Sequence, residues 1–162
     1  VYQDEQFRYL TEKLNGYITG AYVYNKMGLT EQVATTITIA TPNPVRRFRF
    51  KNLDIECVKA YCMDYSDESL VPYLRLLDAI KDMKRIPGTT GQDIYNRVKS
   101  QYFNGYSLPE LEKIVSLAKS YPPRVRKVVA DILGDIRQTV LQTEMAKTIL
   151  PTTRFNLDYK TA

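Results

Sequence analysis

Between residues 34 and 60 the apolar residues recur every second position, and on either side of that window they recur at helical spacing. ATTITIAT (34–41) alternates about Ile37 and Ile39 and is dense in β-branched residues. VRRFRF (45–50) alternates again, with Arg47, Arg49 and Lys51 on one face and Phe48 and Phe50 on the other. LDIECVKA (53–60) sets Leu53, Ile55 and Cys57 on a single face. PNP (42–44) and the Lys51-Asn52 pair read as turns. Three short strands joined by short turns predict a three-stranded antiparallel meander with one buried face.

The flanks read as helices. In DEQFRYLTEKLN (4–15), Phe7, Leu10 and Leu14 recur at helical spacing, with Asp4 to cap and Gly16 to stop. GYITG (16–20) leads into a short helix from Ala21 to Met27, with Thr19 as N-cap and Gly28 at the end. Beyond the strands, a helix over 69–86 starts at Ser69, carries Pro72 in its first turn, and buries Leu70, Leu74, Leu77, Ile80 and Met83. A second covers 92–103. A third covers 107–120, where Ser107 and Glu110 have the spacing of a capping box. A long fourth covers 124–150, with a kink expected at Gly134. The order predicts an α+β fold: a small meander covered by helices, then a helical C-terminal half. Residues 1–150 read as a single domain and 151–162 as a polar tail that frays or docks on a neighbour.

Composition narrows the chemistry. The chain has no histidine, which excludes Ser-His-Asp, Cys-His and His-metal catalysis within it. Cys57 and Cys62 stand at C-x4-C spacing without further soft ligands, so they read as reduced, partly buried thiols of a cytoplasmic protein. No cofactor is expected: the glycines of GYITG match neither the dinucleotide fingerprint nor the P-loop spacing. No apolar run is long enough for a membrane span. Among the carboxylates, Asp54 with Glu56 share a strand face that could bind a metal. Asp64 with Asp67 and Glu68, and Asp131 with Asp135, are the other groupings. None has a second cluster beside it, so the chain reads as non-catalytic.

The net charge of +5 is uneven. Residues 1–68 carry 8 Lys+Arg against 9 Asp+Glu, while residues 69–162 carry 15 against 9. The candidate binding residues are therefore basic. Arg46, Arg47, Arg49 and Lys51 form a strip suited to phosphates or an acidic protein surface, or serve only as a solvated, edge-protecting face. Lys81, Lys84 and Arg85 share one side of a helix end, where the dipole alone explains cations. Arg124, Arg126 and Lys127 sit at a helix start, against the dipole, which hints at a partner. The 13 tyrosines add amphipathic contact surface.

The order of segments says more than any one of them. GYITG-x-x-x-YN-x-x-GLT-x-QV is followed by a strand ending IAT-x-x-P and a basic strand. LLDAIKDMKRIP comes next, then L-x-x-LAKSYPPRVR-x-x-x-ADIL. From about Gly16 to Leu133 this resembles the C-terminal region of AbiEi-like antitoxins, of the type IV abortive-infection (phage-defence) toxin–antitoxin class. The resemblance implies a cytoplasmic bacterial domain that opposes a cognate nucleotidyltransferase-like toxin, with or without a stable complex. In such proteins an N-terminal winged helix binds the promoter. No winged helix is recognisable before Tyr17, so promoter DNA is a partner only if one lies upstream. The alternative is a DNA-binding transcriptional autoregulator that uses the basic surface itself.

Overall fold

The computed structural model describes residues 2–44, 46–62 and 67–162. Val45 of the predicted second strand, and Asp64 among the candidate carboxylates, lie outside them. The chain is α+β and forms two compact units, Val1–Arg75 and Leu76–Ala162.

The first unit begins with α1 (Tyr2–Leu14), β1 (Tyr17–Thr19) and α2 (Ala21–Lys26). β2 (Thr36–Thr41), β3 (Arg47–Phe50) and β4 (Leu53–Lys59) follow. The sheet has four strands in the order β1-β2-β4-β3. β1–β2 and β3–β4 are antiparallel, whereas β2 and β4 run parallel, with Ile37 beside Ile55 and Ile39 beside Cys57.

The expected three-stranded antiparallel meander is therefore corrected in two ways. The PNP turn does not fold β3 back onto β2. Instead the Thr41 hydroxyl donates to the Leu14 carbonyl, and the Asn43 side-chain amide donates to the same oxygen at 3.3 Å. The turn is thus fastened to the end of α1. The more apolar β4 takes the central place, and the charged β3 goes to the edge, where charges discourage further pairing. Lys51, with φ 53, begins the two-residue connection between Phe50 and its partner Leu53.

The second correction concerns GYITG. Thr19 is not a helix cap. Tyr17, Ile18 and Thr19 form β1, buried throughout, and α2 starts after Gly20. Gly20 has φ +81, and a β-carbon there would stand 2.5 Å from the Thr38 hydroxyl oxygen. A β-carbon on Gly16 would stand 2.1 Å from the Ala40 carbonyl oxygen. Two glycines let a three-residue strand lie tightly against β2 and turn sharply into a helix. The buried face of the sheet joins Ile18, Ile37, Ile39, Ile55 and Cys57 to Leu10 and Leu14 of α1 and Val23 of α2. Phe7, Phe48, Phe50 and Leu53 pack around that cluster.

The boundary between the units falls in α3 (Val71–Lys81). A 3-10 turn (Glu68–Leu70) precedes it and is capped by Asp67, whose carboxylate accepts from the Ser69 N–H at 3.0 Å and the Ser69 hydroxyl at 2.6 Å, so Ser69 lies inside that turn and does not open the helix. Then come α4 (Gly91–Gln101), α5 (Leu108–Ala118), α6 (Pro123–Asp135) and α7 (Thr139–Ala146). The capping box of Ser107 and Glu110 opens α5 as expected. The single long helix over 124–150 does not form. Arg137 takes φ 65, and the Gln138 N–H bonds back to the Leu133 carbonyl at 2.8 Å, which closes α6. Gly134 lies within α6, where it admits the Gln142 side chain. The core of this unit includes Leu77, Ile80, Ile94, Val98, Phe103, Ile114, Val128, Ile132 and Met145, all buried.

Gly16→Ala is expected to destabilise the chain by about 1–3 kcal/mol through overpacking against β2. Gly105→Ala, which meets nothing within 4 Å, stays within about 0.5 kcal/mol of the parent. Urea unfolding of the two variants checks the contrast.

Candidate functional site

Alternation along β3 exposes Arg47 and Arg49 and half-buries Phe48 and Phe50, as expected. The register then pairs each arginine with a carboxylate of β4: Arg47 lies opposite Glu56, and Arg49 opposite Asp54. Arg47 forms a hydrogen-bonded ion pair with Glu56, and Arg49 one with Asp54 at 3.3 Å. The basic strip and the candidate metal-binding carboxylates are one feature, a cross-strand ladder of alternating charge. The carboxylates are engaged by guanidinium groups, and among the described residues no cluster of His, Cys, Asp or Glu is arranged to hold a metal. Arg46 stacks over Phe48 at 4.7 Å, and Lys51 lies 5.6 Å from the Phe50 ring centre. Burial raises the Cys57 thiol, with Arg46 opposing, and both Cys57 and Cys62 are buried free thiols, outside any disulfide.

On the opposite face of β3 from this ladder, Tyr9 of α1 stacks on Phe50, with centroids 5.4 Å apart and planes at 17°. Tyr9 is 49% exposed, and the Lys13 ammonium lies 5.5 Å from its ring. With Glu5, Gln6 and Lys51, these rings line a shallow depression of about 370 Å³. The first unit also has an open cleft of about 530 Å³ between α1, β1 and the start of α3, lined by Arg8, Glu12, Glu68 and Arg75 among others. Arg75 donates to the Ile18 carbonyl at 2.8 Å across it. The cleft carries both signs of charge.

In the second unit, Lys81, Lys84, Arg124, Arg126 and Lys127 have intramolecular roles. Lys81 ends α3 and pairs with Asp82 at 3.7 Å, whereas Lys84 and Arg85 fall in the turn beyond, not on the helix. Arg85 is exposed, and Lys84 donates to the Asn156 carbonyl at 2.6 Å. Arg124 pairs with Asp158 at 2.9 Å, and Lys127 with Asp131 at 3.0 Å. Arg126 donates to the carbonyls of Tyr121 and Thr148. Of the cations set against the α6 dipole, Arg124 and Arg126 thus hold later parts of the same unit, while Lys127 pairs within α6.

Sequence reasoning grouped Asp131 with Asp135 but did not find the partners through which they organise this unit. The Tyr95 and Tyr159 rings stack at 4.3 Å, with planes at 10°. The Tyr95 hydroxyl donates to Asp135 at 2.6 Å and the Tyr159 hydroxyl to Asp131 at 2.7 Å. Lys99 also reaches Asp135, at 3.2 Å. Burial raises both phenols, and their bonds to the carboxylates push them further in the same direction. Burial alone would raise the Asp135 carboxyl. The bonds from Tyr95, the Ala162 N–H and Lys99 outweigh it and hold the group below its ordinary value. No local pattern announces these contacts, since the tyrosine–aspartate partners stand 40 and 28 residues apart.

The pH response follows from these directions. Asp135 is depressed, so its contribution to stability is complete above about pH 4 and is lost as pH falls through its folded value. The phenols are raised, so theirs is complete below about pH 10 and is lost as pH rises toward their folded values. Urea midpoints are expected to be level between those limits and to fall on both sides. Asp135→Asn flattens the acid limb, and Tyr159→Phe flattens the alkaline one.

No protein-family model, curated protein or solved structure matches the chain.

Proposed function

We propose that this chain is a non-catalytic antitoxin domain of the AbiEi-like type, opposing a cognate nucleotidyltransferase-like toxin. The observation that carries the reading is where the resembling segments lie. GYITG supplies β1 and its two tight glycine contacts, and the strand ending IAT is β2. LLDAIKDMKRIP supplies buried Leu76, Leu77, Ile80, Met83 and Ile86, and LAKSYPPRVR supplies buried Ala118, Tyr121 and Val125. The likeness therefore lies in what builds the scaffold. The engagement of Asp54 and Glu56 by arginines favours recognition over catalysis.

The surface we assign to toxin recognition is the β3 edge, with the Arg47–Glu56 and Arg49–Asp54 ladder on one face and the Tyr9–Phe50 stack on the other. Exposed Tyr9 on half-buried Phe50, with Glu5 and Lys51 beside them, gives an aromatic contact rimmed by charges of both signs, which suits a protein surface. A polyanion would be met by arginines already facing carboxylates. Exposed ion pairs of this kind contribute at most about 1 kcal/mol to stability, so the ladder is open to change without unfolding the sheet.

The test is growth on co-expression with the nucleotidyltransferase-like gene adjacent to its own. The parent chain is expected to rescue growth. The charge-swapped double variant Arg47→Glu/Glu56→Arg keeps the internal pair but reverses the pattern shown to a partner. It is expected to remain folded by circular dichroism and to lose rescue. A folded parent chain that gives no rescue overturns the reading. A DNA complex at low salt that disappears steeply as salt rises would favour the autoregulator instead.

A further inference from the structure

The segment 156–162 has no helix or strand, bends at Asp158 and Tyr159, and packs on the second unit. Its contacts have the form of linear-segment recognition. Tyr159, 6% exposed, inserts its ring against buried Tyr95 and donates its hydroxyl to Asp131. One position earlier, Asp158 meets Arg124. One position later, the Gln92 side-chain amide takes both backbone groups of Lys160. It accepts from the N–H at 2.6 Å and donates to the carbonyl at 3.3 Å. Lys84 holds the Asn156 carbonyl at one end, and Asp135 accepts the Ala162 N–H at 3.1 Å at the other. At Gly91, a β-carbon would stand 1.9 Å from the Asp158 carboxylate, so the helix N-terminus is bare where the segment crosses it.

These contacts separate into two kinds. Gln92, Lys84 and Asp135 engage main-chain groups that any peptide offers. Arg124 and the Tyr95–Asp131 pocket engage one acidic side chain followed directly by a tyrosine. A backbone clamp combined with side-chain pockets is the division of labour of peptide-binding grooves. Within 156–162 only Tyr159 is buried, so the segment is held by one anchor and a set of polar bonds.

We propose that α4 and the α6 face form a binding groove for a peptide that bends at an Asp-Tyr pair, and that the chain's own residues 156–162 fill it in cis. The partner is a protein segment of that chemistry, which must displace the tail to bind. An intramolecular occupant competes at an effective concentration on the order of millimolar. A partner therefore gains access when its own segment binds more tightly, or when the tail is drawn away.

The test uses the full chain carrying Asp158→Ala/Tyr159→Ala, which empties both pockets in cis. A fluorescently labelled peptide of sequence RFNLDYKTA, matching residues 154–162, is titrated into it and followed by anisotropy. Saturable binding is expected, at least tenfold tighter than to the parent chain, whose tail competes. A peptide with alanines in place of the Asp-Tyr pair is expected not to bind. Adding Gln92→Ala or Arg124→Ala to the receptor is expected to weaken binding by tenfold or more. Absence of binding to the folded double variant overturns the proposal, as does equal binding to the parent chain. If that variant fails to fold, amide exchange in the parent chain decides. The proposal expects the Lys160 and Ala162 amides to exchange faster than the amides of α6, and Gly91→Ala to speed them without altering α6. Exchange of those two amides only with global unfolding would sink it.

Discussion

The first unit depends on the parallel pairing of β2 with β4. Parallel neighbours cannot be joined by a tight turn, so the chain between them must leave the sheet line and return. Here the return includes another strand, β3, which comes back along the outer side of β4 and occupies the edge. That placement leaves the charged strand at an open edge. With Phe48 and Phe50 directed at the core, Arg47 and Arg49 face outward opposite Glu56 and Asp54. A meander with β3 in the centre would keep the same β3–β4 ion pairs but would cover the other side of β3 with β2. The ladder follows from the β3–β4 hairpin; its place at the sheet edge follows from strand order, with the more apolar β4 in the centre.

The second unit is organised differently. Its helices bury an apolar core, but two carboxylates on one helix, Asp131 and Asp135, gather hydrogen bonds from three parts of the chain. A buried carboxylate is costly unless its oxygens are filled. Asp135 is filled by a phenol, an ammonium and a backbone N–H. Asp131 is filled by a phenol and an ammonium. The tail supplies one bond to each of them, so its seat in the unit is set by polar partners as much as by the Tyr159 ring.

Periodicity made the strands at 36–41, 47–50 and 53–59 legible, together with their faces, because alternation and burial report the same thing on a pleated strand. The capping box at Ser107 was legible because its two bonds are local. β1 was hidden because three residues carry no period, and the flanking glycines read equally well as helix punctuation. Strand order was hidden because pairing partners such as Thr38 and Glu56 are far apart in sequence. The end of α6 was hidden because Arg137 adopts a left-handed conformation that nothing in its type announces. Of the candidate cations, sequence located the β3 group on one exposed face. It could not foresee that Arg124, Arg126 and Lys127 are engaged by Asp158, two carbonyls and Asp131.

That last difference bears on how a basic chain is read. A net charge of +5 suggests a field that attracts polyanions, yet a charge acts at a distance only where no opposite charge stands beside it. Arg47 and Arg49 face carboxylates across a strand pair, and Arg124 and Lys127 face carboxylates within the second unit. Each such pair behaves toward a partner as a dipole. Dipoles discriminate by position and orientation and lose their reach within a few ångströms. A surface of that kind selects a complementary protein face, held close and in register, over a phosphate backbone met anywhere along its length. The same reasoning applies to the groove. Arg124 rewards an acidic side chain only when the following tyrosine already lies against Tyr95, so recognition there is a matter of spacing more than of net charge.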